Sequence, residues 1–487
     1  MINWLLLVPA ALVTIVVAFL WARTSVDGFK PRTFLRLDSE RRVTGLPAVL
    51  LQAELPILVL SLPLFLFTSP LTVLGLAVIP LVWGTRRLVR GYFLPSTPLD
   101  WPIALMSVMI PVGLLVSPYL SWGAGRAAFL IYSIALYYAL VDWIIDRRTF
   151  DIALSVYVLA GGAMAVLALI GTDWQYKFPF LGDLTQALPH IANTLSRDQT
   201  GFHPNIVAGA LLWVVLPLLA LLLLSARENR DPTPPGSRLP TWLANVSYQR
   251  LPVAILLLLT AATLVLTQSR GAIASAAAGA GLLAWLRWPG FRLAIAIGVV
   301  VAVALVSVAL TLEISAGKQA VAAGEFSVSA ADNFAVRIDT WQSALRAISA
   351  HPVEGIGLDA FRHLLPTTYP AASIPDTYDI GHAHNQFLQA ALDLGLPGLL
   401  AYLTLWIAAG RMLWIMLAHN TPLSTGSPSP VYLVAGFAAA LFASFLHGMM
   451  DVVVMVSKPG VLFWAMLAFV TALWRLTAKQ RKSTLQE

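Results

Sequence analysis

Cysteine is absent from the 487-residue sequence, and charged residues make up only 11% of it. Without cysteine, disulfides, thiolate metal ligands and cysteine nucleophiles are all excluded. An ordinary soluble domain is roughly one quarter charged, so the low charge argues against a soluble protein. The sequence also has no GxxxxGK[ST] phosphate loop and no Asp-x-Asp motif. An ATP-driven pump and a metal-dependent nucleotide-sugar transferase are therefore both disfavoured.

Long apolar stretches make up much of the chain. Hydrophobic residues account for 58% of it, and many runs have the length that crosses a ~30 Å hydrocarbon layer. The sequence therefore predicts an all-α fold, a polytopic transmembrane helical bundle of about 12 to 14 spans. The first run lacks a basic n-region and a cleavage site, so we interpret it as a span and not as a signal peptide. The predicted spans are residues 3–21, 46–67, 70–84, 101–117, 124–143, 151–171, 204–225, 251–267, 271–286, 293–312, 385–410, 431–455 and 460–474.

Basic residues indicate which side of the membrane each loop faces. Most of the 31 lysines and arginines fall in alternate loops and in the C-terminal tail, which marks those segments as cytoplasmic. Arg86 is assigned in this way to a cytoplasmic loop and Arg126 to an external one. The net charge of +7 is then a topology signal, and we expect no nucleic-acid partner.

This topology predicts four regions. Residues 1–171 form the N-terminal spans. Residues 172–312 form the central spans, with an external loop at 172–203 and a cytoplasmic linker at 226–250. Residues 313–384 form a large external loop, and residues 385–487 form the C-terminal spans with a basic cytoplasmic tail.

The large external loop is expected to be partly helical. Apolar residues recur with helical spacing at Phe334, Ile338, Trp341, Leu345 and Ile348. This spacing predicts one face of an amphipathic helix, with Asp332 as its N-cap and His351-Pro352 at its end. We expect this helix to lie along the membrane surface or over a cavity, and a second short helix to follow near residues 359–365.

One arginine lies where two apolar stretches meet, in the sequence Thr267-Gln268-Ser269-Arg270-Gly271. An arginine at membrane depth is costly and usually faces a cavity or a polar partner. Small residues follow it and leave room beside its guanidinium: Gly271, Ala272, Ala274, Ser275, Ala276 and Gly279. Because its planar donors match a diphosphate, Arg270 is a candidate anion-binding residue. The alternative is an arginine that snorkels at a helix end.

A second polar segment, residues 197–205, precedes a predicted span. Pro204 suits the first turn of a helix, so Arg197, His203 and Asn205 are expected at the same membrane face as Arg270. A helix N-terminus attracts anions, which makes this segment either an anion-binding group or an ordinary capping loop.

Two histidines, His382 and His384, stand just before the next long span. A near-neutral imidazole can deprotonate a hydroxyl as a general base, and Asn385 is expected to orient that base or to bind substrate. The two histidines are expected to point to different sides. An HxH pair can bind metal, but the external carboxylates show no ligand spacing, so no metal site is predicted. A polar helix cap is the remaining alternative.

A histidine–aspartate pair and a single glutamate lie within or near predicted spans. His447 and Asp451 are four residues apart and are expected on one helix face, where they pair structurally or the carboxylate orients the imidazole. Glu54 is expected to be a helix-packing or cytoplasmic-side residue.

As an ordered set, these motifs resemble the O-antigen ligase/polymerase family, which includes O-antigen ligases, O-antigen polymerases and bacterial O-linked oligosaccharyltransferases. The resemblance covers roughly residues 195–455, and residues 197–205 are similar to an earlier external motif of the family. The other matching motifs are Ser269-Arg270-Gly271, Arg337-x3-Trp341, His351-Pro352-x2-Gly355-x-Gly357 and His384-Asn385-x-Phe387-Leu388-Gln389-x5-Gly395-Leu396-x-Gly398.

The resemblance implies a GT-C-like fold in the bacterial inner membrane, with an active site that faces the periplasm and needs no metal or other cofactor. The implied donor is a glycan on undecaprenyl diphosphate, and the implied acceptor is lipid A–core or another glycan, with membrane lipids as further partners. Arg270, with Arg197 and Arg337, would bind the diphosphate. His384, or alternatively His382, would be the base of an inverting transfer.

The leading expectation is an O-antigen ligase. A polymerase or an O-oligosaccharyltransferase of the same family is the alternative, and a lipid-linked glycan transporter is a more distant one.

Overall fold

A computed structural model describes residues 4–29, 45–66, 72–174, 178–188, 202–225, 250–298, 301, 334–371, 374, 379–418, 431–455 and 458–484. This part of the chain is helical, and its only β-type pairing is an isolated bridge between Thr172 and Phe202. The predicted all-α class of a polytopic helical bundle is therefore confirmed.

In chain order, the first α-helices are α1 (Trp4–Asp27), α2 (Leu46–Leu66), α3 (Thr72–Arg90), α4 (Asp100–Val116), α5 (Leu120–Trp143), α6 (Arg147–Gly171), α7 (Pro179–Gln186) and α8 (Pro204–Ser225). They continue with α9 (Arg250–Leu266), α10 (Arg270–Arg287), α11 (Phe334–Ala350), α12 (Phe361–Leu364), α13 (Gln386–Ala418), α14 (Val431–Gly448) and α15 (Val461–Thr484).

Seven of the described helices are long and apolar enough to cross a membrane. Their apolar stretches are Val8–Asp27, Leu120–Trp143, Arg147–Gly171, Pro204–Leu223, Gln386–Ala418, Val431–Gly448 and Val461–Ala478. Shorter apolar helices are found at Val49–Leu62, Asp100–Val116, Arg250–Leu266 and Pro289–Gly298. The second, third and ninth predicted spans correspond to α2, α3 and α10. Most of the predicted linker 226–250 and the second half of the predicted span 293–312 lie outside the described residues.

The chain divides into two compact units, each assembled from segments that are distant in sequence. Unit 1 comprises the described residues of Met1–Ile145, Ala304–Arg411 and Asp451–Ala472. Unit 2 comprises those of Asp146–Val303, Met412–Met450 and Leu473–Glu487.

In unit 1, α5 packs against α2, α3 and α4. A buried ion pair joins Arg86 of α3 to Glu54 of α2, and Nε of Arg86 lies 3.5 Å from Asp142 of α5. Glu54 is therefore a helix-packing residue, as expected. The assignment of Arg86 to a loop is wrong, because its side chain is fully buried inside α3, where these two carboxylates compensate its charge. Aromatic rings join α13 to α15, with Trp406 stacked on Phe463 at 5.1 Å between centroids.

In unit 2, α8 packs against α6, α9, α10 and α14. Glycines allow the closest approaches. A β-carbon at Gly279 of α10 would lie 2.6 Å from a methyl carbon of Leu216 in α8. Ala272, Ser275 and Gly279 are all buried, so small residues after Arg270 do provide the close helix packing that was predicted.

The segment that was predicted to be external contains both predicted helices, α11 and α12. The end of α11 at Ala350, before His351-Pro352, is confirmed, whereas Asp332 lies outside the described residues. The location of the predicted apolar face of α11, along the membrane surface or over a cavity, stays a prediction. Of that stripe, only Ile348 is fully buried, and the face that packs most closely consists of Val336, Thr340, Ser343, Ala344 and Ala347. These residues have mostly small side chains, which let α11 pack more closely against the core around Phe361 and Leu392 than the larger side chains of the apolar stripe would.

The two glycine-containing motifs, at residues 351–357 and 384–398, contact each other through their main chains. Helix α13 is kinked at Gly395, whose φ of 67° is unfavourable for any side-chain-bearing residue, and a β-carbon there would collide with the backbone of Val353. The Leu396 N–H donates to the Pro352 carbonyl at 2.8 Å, and the Ile356 N–H donates to the Leu392 carbonyl at 2.8 Å. These glycines therefore serve packing, by fixing the loop that follows α11 onto α13.

Candidate functional site

The candidate residues divide between the two units. His382, His384, Asn385, Asp451 and Arg337 belong to unit 1. His203, Asn205, Arg270 and His447 belong to unit 2. Arg197 lies outside the described residues.

In unit 1, His382, His384 and Asp451 form one cluster. The imidazole rings are 4.5 Å apart between centroids and nearly perpendicular, and Nε2 of His382 lies 3.6 Å from Oδ1 of Asp451. One donor atom from each residue lies within 4.8 Å of the others. The expectation that the histidines point to different sides is wrong, because both precede α13 in a loop, where the alternation of a regular element does not apply.

The backbone of this loop is constrained. His384 has a φ of 47°, and the other described non-glycine residues with positive φ are Gln268 and Asp359. Such a conformation costs free energy and persists only where the surrounding structure enforces it, which is common at functional sites. The His384 N–H donates to Nδ1 of His382 at 3.2 Å, which leaves the Nε2 atom of His382 to face Asp451.

Asn385 caps α13. Its side-chain Oδ1 accepts from the N–H groups of Phe387 at 3.0 Å and Leu388 at 3.1 Å, so that oxygen satisfies donors at the helix N-terminus. The structure thus gives the Asn385 carboxamide oxygen a capping role beside the histidines.

A chain of buried polar groups runs from α5 to the histidine loop. Arg126 forms ion pairs with Asp359 and, at 3.2 Å, with Asp393, whose side chain is fully buried. Gln389 donates to Asp393 at 2.9 Å and accepts from the Ala383 N–H at 2.9 Å. Because Ala383 lies between the two histidines, this chain fixes the loop that carries them. Arg126 lies within α5, inside the predicted span 124–143, where it compensates the buried carboxylate of Asp393 and the partly buried one of Asp359, while its assignment to the external side stays a prediction.

In unit 2, Arg270 is the first residue of α10, and its side chain is exposed. The three residues before it are buried, and Oε1 of Gln268 accepts from the Phe178 N–H at 2.7 Å. A buried turn therefore fixes the position of an exposed arginine at a helix N-terminus, where backbone N–H groups also favour an anion.

His447 lies next to this turn. A β-carbon added at Gly271 would be 3.6 Å from Nδ1 of His447, so the last turn of α14 packs against the first turn of α10. The expectation that His447 and Asp451 share a helix face is wrong. Helix α14 ends at Gly448, and Asp451 lies in the following loop, where its carboxylate faces His382.

The remaining candidates lie at helix starts. Pro204 is the first residue of α8, as predicted, and the His203 carbonyl accepts from the Ile206 and Val207 N–H groups at 3.1 and 3.2 Å. Asn205 is buried, whereas His203 is exposed. Arg337 is half-buried in the first turn of α11.

A family model described as O-antigen ligase matches residues 255–403, a segment that includes Arg270, Arg337, His382 and His384. Over these residues the chain is similar to the O-antigen ligase family. The family resemblance predicted from the sequence motifs is thereby confirmed, and the seven apolar helices make this O-antigen ligase-like chain a multi-pass membrane protein. No curated protein matches its sequence significantly.

Sequence reasoning missed Asp393 and the positions of Gln389 and Arg126 in one network. A signal was present, because Gln389 and Asp393 are polar, lie four residues apart and interrupt an otherwise apolar span. Asp451 was a predicted site residue, but it was paired with His447, whereas its carboxylate faces His382.

Proposed function

We propose that this O-antigen ligase-like chain is a metal-independent, inverting glycosyltransferase. It transfers a glycan from undecaprenyl diphosphate to a hydroxyl group, most specifically as an O-antigen ligase that acts on lipid A–core. It works in the bacterial inner membrane with a GT-C-like architecture and an active site that faces the periplasm. The family match over residues 255–403 supports the reaction class.

The observation that carries the proposal is the placement of Arg270. It is an exposed arginine at the N-terminus of α10, held by a buried turn and located inside the segment that matches the family. A diphosphate leaving group gains negative charge as its bond to the sugar breaks, and a bidentate guanidinium stabilises that charge. Arg197 and Arg337 are the additional cations proposed for the same anion.

His384 is the proposed general base. As the acceptor hydroxyl attacks the anomeric carbon, the hydroxyl proton passes to the His384 imidazole, and the bond between that carbon and the diphosphate oxygen breaks. Direct displacement inverts the anomeric centre. His382 is the alternative base, but its Nδ1 accepts from the backbone and its Nε2 faces Asp451. We therefore propose that His382 supports His384.

The test is reconstitution of the purified full-length protein in proteoliposomes, with an undecaprenyl-diphosphate glycan and separate acceptors. Transfer to lipid A–core with release of undecaprenyl diphosphate is the result expected for a ligase. Extension of one lipid-linked glycan by another identifies a polymerase, and transfer to a protein hydroxyl identifies an O-oligosaccharyltransferase. Movement of the intact donor across the membrane without diphosphate release would instead identify a transporter and refute the proposal.

A further inference from the structure

We infer that His382, His384 and Asp451 form a binding site for a divalent transition-metal ion such as Zn²⁺, and that metal bound there blocks transfer. The binding rests on the geometry of the cluster alone. Its inhibitory effect rests on the proposed function, because the metal occupies the imidazole of the proposed base.

The donor set suits this class of metal. Two imidazole nitrogens and one carboxylate oxygen are common ligands of zinc, whereas magnesium and calcium prefer oxygen donors. The cluster is also largely shielded from solvent, with side-chain exposures of 13% for His382 and 3% for Asp451. This distinguishes it from an exposed acidic patch, where carboxylates are hydrated and bind cations weakly.

The distances are close to those of a metal site. Tetrahedral ligands with bonds of ~2.0 Å are about 3.3 Å apart. The His382 Nε2 to Asp451 Oδ1 distance is already 3.6 Å. The other distances between ligand atoms of the three residues are at most 4.8 Å, so each needs to shorten by roughly 1.5 Å at most. Rotation of the imidazole rings can supply such a change without a shift of the helices.

The surrounding structure holds the ligands in place. Asp451 Oδ1 accepts from the Val452 N–H at 2.7 Å, and Gln389 holds the backbone between the two histidines. Outer hydrogen bonds of this kind orient metal ligands. Binding at Nε2 of His382 transfers its proton to Nδ1, so the 3.2 Å contact with the His384 N–H is lost. That contact is long for a hydrogen bond, and its loss is a small cost compared with metal coordination.

The test uses full-length protein without a polyhistidine tag, stripped of metal with chelator. Titration with Zn²⁺ by calorimetry should give one equivalent per chain, and Co²⁺ should give visible absorption bands of a low-coordinate nitrogen–oxygen site. Asp451→Asn keeps the size of the side chain but removes its charge, and we expect it to weaken Zn²⁺ binding at least tenfold. His382→Gln is a second variant with the same expectation, and melting curves confirm that each variant is folded.

The matched control is His351→Ala. This histidine lies in the same unit, is 45% exposed and pairs with Glu354, so its loss should leave Zn²⁺ binding unchanged. Absence of stoichiometric binding, or binding that both cluster variants retain, would overturn the inference. If the protein does not bind Zn²⁺ at the cluster but still transfers glycan at the normal rate, the inference fails and the proposed function stands. Conversely, if Zn²⁺ binds at the cluster but does not inhibit transfer, the assignment of His384 as the base fails while the metal site stands.

Discussion

Gln389 donates a hydrogen bond of 2.9 Å to Asp393, one turn further along α13, and its carboxamide oxygen accepts from the Ala383 N–H at 2.9 Å. One side chain thus connects a buried carboxylate, which is paired with Arg126, to the loop between the two histidines. Through this connection, packing inside the helices determines the position of the proposed base.

We therefore predict that Gln389→Ala lowers the transfer rate about tenfold with little change in the amount of folded protein. The substitution frees the histidine loop and leaves Asp393 short of one donor, at a cost of roughly 1–3 kcal/mol. Rates are measured in proteoliposomes at equal protein content. Thr404→Ala is the matched control, because Thr404 is buried in the same helix and bonds only one turn back, to Leu400. Equal rates for both variants would contradict a positioning role.

Arg270→Lys should lose most transfer activity even though the charge is kept. A lysine presents a point charge and cannot bind a diphosphate with two parallel N–H donors. The initial rate and the KM for the lipid-linked donor are the measurements. Arg287→Lys at the other end of α10 serves as the control, since its guanidinium bonds to the Leu223 carbonyl. Near-normal turnover of Arg270→Lys would indicate an arginine that only snorkels at the helix end.

His384→Ala should reduce the rate by about 10²–10⁴-fold, the usual contribution of a general base. Binding of the donor should persist, because the arginines still hold the diphosphate, and a direct binding assay tests this point. His382→Ala should be milder, since His382 supports His384. A larger loss for His382→Ala would reverse the two assignments. If neither variant slows transfer, His447 becomes the next candidate base.

Chelation should not abolish transfer. Protein cations supply the charge that a divalent ion provides in other transferases, so activity in excess EDTA should equal or exceed that of the untreated enzyme. The transfer rate before and after EDTA is the measurement, with added Mg²⁺, Mn²⁺ and Zn²⁺ as separate arms. Loss of activity with EDTA that Mg²⁺ or Mn²⁺ restores would reject the metal-independent mechanism.

Gly357→Ala should destabilise the protein. Gly357 has a φ of 100°, and a β-carbon there would lie 2.5 Å from the Cα of Ser117. The positive φ alone costs about 1–2 kcal/mol for an alanine, and the collision adds to it. The melting temperature in detergent should fall. Gly281→Ala is the control, because a β-carbon at Gly281 of α10 meets nothing within 4 Å and alanine favours the helix. Equal melting temperatures for the two variants would contradict the packing role of Gly357.

Local patterns predicted the helices well. Apolar periodicity and the His351-Pro352 signal gave the end of α11, and the polar turn before Arg270 gave the start of α10. These features depend on neighbours in the chain, so sequence alone contains them. The apolar run through residue 455 was misleading, because it extended the span of α14 past its true end at Gly448 and placed Asp451 on a helix.

Contacts between distant segments were not predictable in this way. The carboxylate of Asp451 faces His382, and Arg126 meets Asp359 and Asp393, only because the fold brings separate helices together. The buried face of α11 depends similarly on the small residues that its packing partners can accommodate. A single sequence records which residues are polar, but it does not record their partners.

The kink at Gly395 divides α13 into two helical segments with separate tasks. After the kink, residues 396–418 have a length of about 34 Å at 1.5 Å per residue, which is enough to cross a ~30 Å hydrocarbon layer unaided. The short segment before the kink, which carries Gln389 and Asp393, is therefore not needed for the crossing. It serves instead as a platform for polar groups, and its Gln389 holds the loop that carries the two histidines.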